Sequence, residues 1–236
     1  MARLQVVDFL RGFAVVLMIG YHCLFTIEYF GFFKDSGFDI LNQFSFLPYI
    51  IGSVFVIISG FVGNLCSDER QKRKTLELAA VAALISITTY FFDNIMFIKF
   101  GVIHLLTFCS ALSITLKRWN SWLLIVIAIA SLYLGVMFST LRVSSEYLFA
   151  FGLVNNSYQA FDQYPIFPWL GIFIFGIIIS REFDGAVINL EQKYAKLREN
   201  AFVKTIELLG RKSIQIYLIH EPIILGLLFI ISRIFG

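Results

Sequence analysis

The chain has 236 residues, 58% hydrophobic and only 15% charged. Soluble domains carry about 25% charged residues, so the composition excludes a free globular enzyme and indicates an integral membrane protein. A net charge of +3 gives no reason to expect a nucleic-acid partner; membrane lipid is the expected surrounding, and the 27 phenylalanines suit lipid-facing surfaces and interfacial belts.

Continuous apolar runs predict about seven transmembrane helices, near residues 6–30, 46–66, 76–92, 100–116, 121–138, 164–180 and 213–234. They are continuous rather than alternating, which disfavours membrane-spanning strands. The expected fold is an all-α membrane protein, a single bundle forming one domain over residues 1–236. Lys and Arg set the orientation. With the N-terminus in the cytoplasm, fifteen of the 19 cations fall inside, leaving Lys34, Lys99, Arg142 and Arg233 outside. The expectation is N-in and C-out, in a prokaryotic cell membrane.

The first run carries three ionisable groups, Asp8, Arg11 and His22. Such groups are costly in an apolar span, so each needs a partner or a purpose. Asp8 and Arg11 are three apart on one helical face and neutralise each other. His22 lies eleven residues further on, roughly 16 Å along the axis. The first outer loop then holds Lys34, Asp35, Gly37 and Asp39. In the second run, the small residues of Ser59-Gly60-Phe61-Val62-Gly63 permit close backbone approach. His104 opens the fourth run, in its outer half and at a depth comparable with His22. The long outer segment 139–163 is rich in Ser, Asn and Tyr and is of the kind that caps a cavity or holds a polar acceptor.

Residues 184–210 mix charges with partial helical periodicity, and predict one amphipathic helix on the cytoplasmic surface before the last span. Leu209-Gly210-Arg211-Lys212-Ser213 follows, a glycine, two cations and a hydroxyl where a helix begins, a combination that favours phosphate. In the last run Tyr217, His220, Glu221 and Pro222 fall near mid-membrane. Two adjacent ionisable groups beside a proline there read as a functional site.

A neutral imidazole accepts a proton near neutral pH, and a carboxylate can orient it. Cations at the inner face could hold a phosphorylated donor while histidines further out meet an acceptor. That suits group transfer across a membrane. A proton-coupled transporter of a small solute, using His220 and Glu221, draws on the same residue types and is the alternative. A non-catalytic bundle assisting a partner is the third reading. No helix has a central lysine, which sets aside a retinal Schiff base. Cys23, Cys66 and Cys109 have no metal-ligand or redox spacing, and no metal is expected. Small residues on several helices permit two copies to pack as a homodimer.

Val7-Asp8-Phe9-Leu10-Arg11-Gly12 with Tyr21-His22 resembles the opening of the transmembrane acyltransferase superfamily. Residues 55–60 (FVIISG), 101–105 (GVIHL), 164–171 (YPIFPWLG) and 209–220 (LGRKSIQIYLIH) narrow the resemblance to the heparan-alpha-glucosaminide N-acetyltransferase catalytic-domain-like family, over nearly the whole chain. The resemblance implies acetyl transfer from cytosolic acetyl-CoA to an amino sugar or envelope glycan on the far side. Carried onto this chain, it makes His22 the general base and places His104, Arg211, Ser213, Tyr217 and His220 in the later motifs. The lysosomal members, as aligned, have Asn at the His22 position and use a first-loop histidine. Here that histidine is absent and Asp35 stands near its place, so Asp35 or Glu221 is expected to assist His22. The catalytic set is then His22, Asp35, His104, His220 and Glu221. The donor set is Asp8, Arg11, Arg211, Lys212, Ser213 and Tyr217.

Overall fold

The computed structural model describes residues 4–29 and 43–235; the side chains of residues 184, 188 and 235 are left aside. Asp35 and its loop lie outside the described residues. Within them are nine α-helices and one short 3-10 turn at Phe149–Phe151, with no strand among the described residues beyond two isolated bridges. The helices are α1 Gln5–Tyr29, α2 Leu47–Leu65, α3 Asp68–Phe92, α4 Val102–Leu116, α5 Ser121–Thr140, α6 Ile166–Glu182, α7 Asp184–Leu197, α8 Ala201–Arg211 and α9 Ser213–Phe235.

A helix stands at each of the seven apolar runs. Five of them (α1, α2, α3, α5 and α9) are long and apolar enough to cross a membrane. Against the expected seven spans, α4 has 15 residues and α6 has 17. At 1.5 Å per residue α4 is about 22 Å long, short of a hydrocarbon core of about 30 Å. The amphipathic segment also differs from expectation. It is two helices, α7 and α8, and Asn200 opens the second by accepting a hydrogen bond from the Phe202 N–H at 2.8 Å.

The chain forms two compact units, residues 56–185 and residues 2–55 with 186–236. In the first, Val56, Leu105, Cys109, Leu124, Ala128, Phe173, Ile174 and Ile177 form a fully buried apolar core. The glycine motif of α2 acts where expected: a side chain on Gly60 would strike the Phe173 carbonyl of α6, and one on Gly176 would strike the Ile57 carbonyl of α2. Trp169 of PWLG is buried and packs on Tyr164, ring centroids 4.6 Å apart. At the cation-rich end, Asp68 pairs with Lys117 and, at 2.8 Å, with Arg118. Arg181 there donates to Asn64 Oδ1 and to the Lys117 and Trp119 carbonyls.

In the second unit α1 packs against α8 and α9. Glycines permit the crossing with α8. A Cβ at Gly12 would overlap the Ile206 carbonyl, and one at Gly210 the Asp8 carbonyl. Helix α7 contributes Glu191, whose carboxylate accepts the Gln5 and Val6 N–H groups at 2.8 and 3.1 Å. It thereby caps the N-terminus of α1, where unpaired donors and the helix dipole favour an anion.

Candidate active site

His22 and Thr26 are one turn apart on α1, on the face that meets α9. Helix α9 runs unbroken from Ser213 through Pro222 and presents His220 and Glu221. His22 Nδ1 lies 3.2 Å from Glu221 Oε2. Thr26 Oγ1 is 2.6 Å from Glu221 Oε1 and 2.7 Å from the His22 carbonyl. The His22 and His220 rings meet edge-on, 4.6 Å between centroids and 79° between planes. The His220 ring donates from Nδ1 to the Tyr217 carbonyl at 2.7 Å, which leaves Nε2 as the nitrogen with the lone pair. That Nε2 is buried and has no hydrogen-bond partner. Glu221 Oε2 is buried and receives no directed hydrogen bond either. The imidazole of His22 stands beside that oxygen, Nδ1 at 3.2 Å. His22 and Glu221 keep about a third of their side-chain surface exposed, whereas His220 keeps 7%.

Three of the residues singled out in the sequence, His22, His220 and Glu221, thus converge. Thr26, a small hydroxyl in an apolar run, does not stand out by type; its place four residues after His22 on a helix is the signal that marks it.

A second network lies in the same unit. Asp8 and Glu207 are both buried. Asp8 pairs with Arg11 at 3.7 Å and Arg211 at 3.6 Å. Glu207 pairs with Arg198 at 3.2 Å and Arg211 at 3.8 Å. Tyr194 donates to Glu207 Oε1 at 2.9 Å. Arg211 thus stands between two buried carboxylates while staying partly exposed, and Lys212 beside it is exposed. Ser213 opens α9 and Tyr217 lies one turn on, its ring 5.5 Å from that of His220. Glu207 does not stand out within a charged helix; its spacing of four from Arg211 is the pattern that marks it.

His104 belongs to the other unit, and its ring is fully engaged. The Gly101 N–H donates to Nδ1 at 3.3 Å, so the proton sits on Nε2 and faces Ser86 Oγ at 3.0 Å. Ser86 in turn donates to the Ile98 carbonyl at 2.6 Å. The Val102 N–H donates to Asp162 Oδ2 at 2.9 Å. Gly101, His104 and Asp162 together cap the start of α4. The adjoining segment lines a cleft of about 370 Å³ with Ser86, Lys99, Glu146, Asn155 and Tyr158 among its walls. Lys99 Nζ stands 4.9 Å from the Tyr158 ring centre, and the pKa of the Tyr158 hydroxyl is pushed up to about 12, first by burial and then by repulsion from the nearby Asp162 charge.

Comparison with protein families matches residues 3–222 to the family described as heparan-alpha-glucosaminide N-acetyltransferase, catalytic. The chain belongs to that family. No curated protein and no solved structure matches it. Membership makes the chain a transferase of the membrane acyltransferase kind, which the apolar helices fit, and it favours transfer over the transporter reading. The match runs through both compact units and includes every residue of the His22 cluster.

Proposed function

We propose that the protein transfers an acetyl group from cytosolic acyl-CoA to an amino sugar or envelope glycan on the outer face, with His22 as general base. The carrying observation is the approach of His22 Nδ1 to Glu221 Oε2 within a membrane-spanning pair of helices, with Thr26 anchoring the far carboxylate oxygen. A carboxylate beside Nδ1 holds the proton there and leaves Nε2 as the basic nitrogen, the logic by which a carboxylate orients imidazole in acyl transfer.

In the reaction, His22 Nε2 takes the proton from the acceptor amine or hydroxyl as that atom attacks the thioester carbonyl. The new C–N or C–O bond forms, the C–S bond breaks, and the proton passes from imidazolium to the CoA thiolate. Glu221 stabilises the imidazolium. His220 and the first-loop Asp35 are placed as assisting groups, and His104 as the residue that keeps the start of α4 and the neighbouring cleft in shape. Arg211, Lys212 and the start of α9 at Ser213 take the donor's phosphates, since basic side chains and helix N-termini both favour anions. Asp8, itself paired with Arg11, holds Arg211 in place, and Tyr217 packs on the His220 ring. The expected topology is N-in and C-out.

The test uses the purified full chain in nanodiscs with radiolabelled acetyl-CoA and a panel of amino sugars. His22→Gln is expected to lower transfer by about 10²–10⁴-fold, the range for a lost general base, with acetyl-CoA affinity retained. Wild-type protein that fails to bind acetyl-CoA at millimolar concentration overturns the reading.

A further inference from the structure

The His22 cluster has a second chemistry. One ligating atom from each of His22, His220 and Glu221 lies within 4.8 Å of the others. Two imidazoles and a carboxylate are the donor set of many zinc sites with an open fourth position. Ligands about 2.0–2.1 Å from a tetrahedral ion stand about 3.3 Å apart, so the three need to close by at most about 1.5 Å. Two of them already have the supporting contacts that metal ligands use. His220 gives Nδ1–H to a backbone carbonyl at 2.7 Å, which fixes the tautomer and turns the lone pair of Nε2 outward from that bond. Glu221 has Oε1 tied by Thr26 at 2.6 Å, which leaves Oε2 as the spare oxygen. Of the two atoms thus set aside, His220 Nε2 is buried without a hydrogen bond, and Glu221 Oε2, also buried, has the His22 imidazole beside it at 3.2 Å without accepting an aligned hydrogen bond. A buried polar atom without a partner, such as His220 Nε2, is rare and costly, and a cation would satisfy it while drawing in the Glu221 oxygen. His220 is itself more than nine-tenths buried, whereas the partial exposure of His22 and Glu221 leaves a way in.

We propose that His22, His220 and Glu221 form a site for a divalent transition-metal ion of the zinc class, and that its occupancy switches off acyl transfer. The inhibitory half rests on His22 being the base. A neutral imidazole has a single lone pair. Whichever nitrogen of His22 the metal takes, the other keeps the ring proton, and no lone pair remains to accept one from the acceptor. The metal also takes the carboxylate that would stabilise imidazolium.

Cobalt(II) and zinc(II) are the probes, added to the purified full chain in nanodiscs carrying Cys23→Ala and Cys66→Ala to remove thiol binding. One cobalt ion per chain is expected, with the visible bands of a low-symmetry, four- or five-coordinate site and no thiolate charge-transfer band. His220→Ala and Glu221→Gln are expected to weaken cobalt binding at least tenfold while their elution profile and melting midpoint show a folded chain. Zinc in small excess is expected to reduce transfer at least tenfold, and a chelator to restore it. Wild-type-like binding in both variants, or less than a tenth of an ion per chain in the parent, overturns the site. Binding that depends on His220 with transfer unchanged by zinc overturns the switch. Metal binding is read without acyl-CoA, so a failure of the acyltransfer reading leaves the site's own result standing.

Discussion

Thr26 Oγ1 has two acceptors within reach, the His22 carbonyl at 2.7 Å and Glu221 Oε1 at 2.6 Å. A hydroxyl has one proton, so it is shared, and the carboxylate takes the stronger, charge-assisted part. Thr26 is fully buried, which makes water a poor substitute. Thr26→Val keeps the shape and removes the hydroxyl. A lost hydrogen bond to a charged group costs about 1.5–3 kcal/mol, so kcat is expected to fall at least tenfold with the KM for acetyl-CoA unchanged, and Thr26→Ser to restore most of it. Steady-state kinetics of the two variants decide this; equal losses in Val and Ser would show that packing, and not the hydroxyl, matters. The ionisable members of the cluster were legible in the sequence because ionisable groups stand out in an apolar span. Their convergence was not, since it depends on which faces of α1 and α9 meet. His104 shows the converse. It drew notice by the same rule, and the structure spends both its nitrogens on Gly101 and Ser86.

Between elements, the crossing of α1 with α8 sets where the Asp8–Arg211–Glu207 network lies. The backbones touch at Gly12 against Ile206 and at Gly210 against Asp8. Overfilling such a contact costs about 1–3 kcal/mol through backbone shifts. Gly12→Ala and Gly210→Ala are each expected to lower the melting midpoint clearly. Gly20 of the same helix α1 has nothing within 4 Å of an added Cβ. Gly20→Ala should be neutral or gain up to about 1 kcal/mol, the difference in helix propensity. Thermal scanning of the three variants side by side checks the contrast; similar melting of all three would remove the crossing as its cause. Helix existence was readable because long apolar runs leave few choices. The α7–α8 break was harder, because Arg198-Glu199-Asn200 reads as more of the same charged face until the cap at Asn200 is seen.

For the molecule as a whole, the short helices α4 and α6 are expected to cross the membrane with the longer ones. In the unit of residues 56–185, the C-terminal ends of α2, α4 and α6 and the N-terminal ends of α3 and α5 gather at one cation-rich end, tied by Asp68 with Lys117 and Arg118 and by Arg181 with Asn64. At the starts of α4 and α6 the loops are joined instead by Tyr164 N–H to the Phe100 carbonyl at 3.0 Å and Phe161 N–H to the Met96 carbonyl at 2.8 Å. Helices α4 and α6 therefore run from one loop cluster to the other, alongside the longer α3 and α5. Their ends at that second cluster continue into irregular backbone packed on protein, which membrane proteins tolerate. The expectation is seven crossings, with Arg70 to Lys74 and Arg118 inside. In a background with Cys23 and Cys66 replaced, a single cysteine at Glu146 or Asn155 should react with a membrane-impermeant maleimide in intact cells. One at Lys72 or Arg118 should react only after permeabilisation. Labelling of both sets from the same side would place α4 and α6 as helices that turn back without crossing, and would invert the assignment of donor and acceptor faces that the acyl-transfer reading uses.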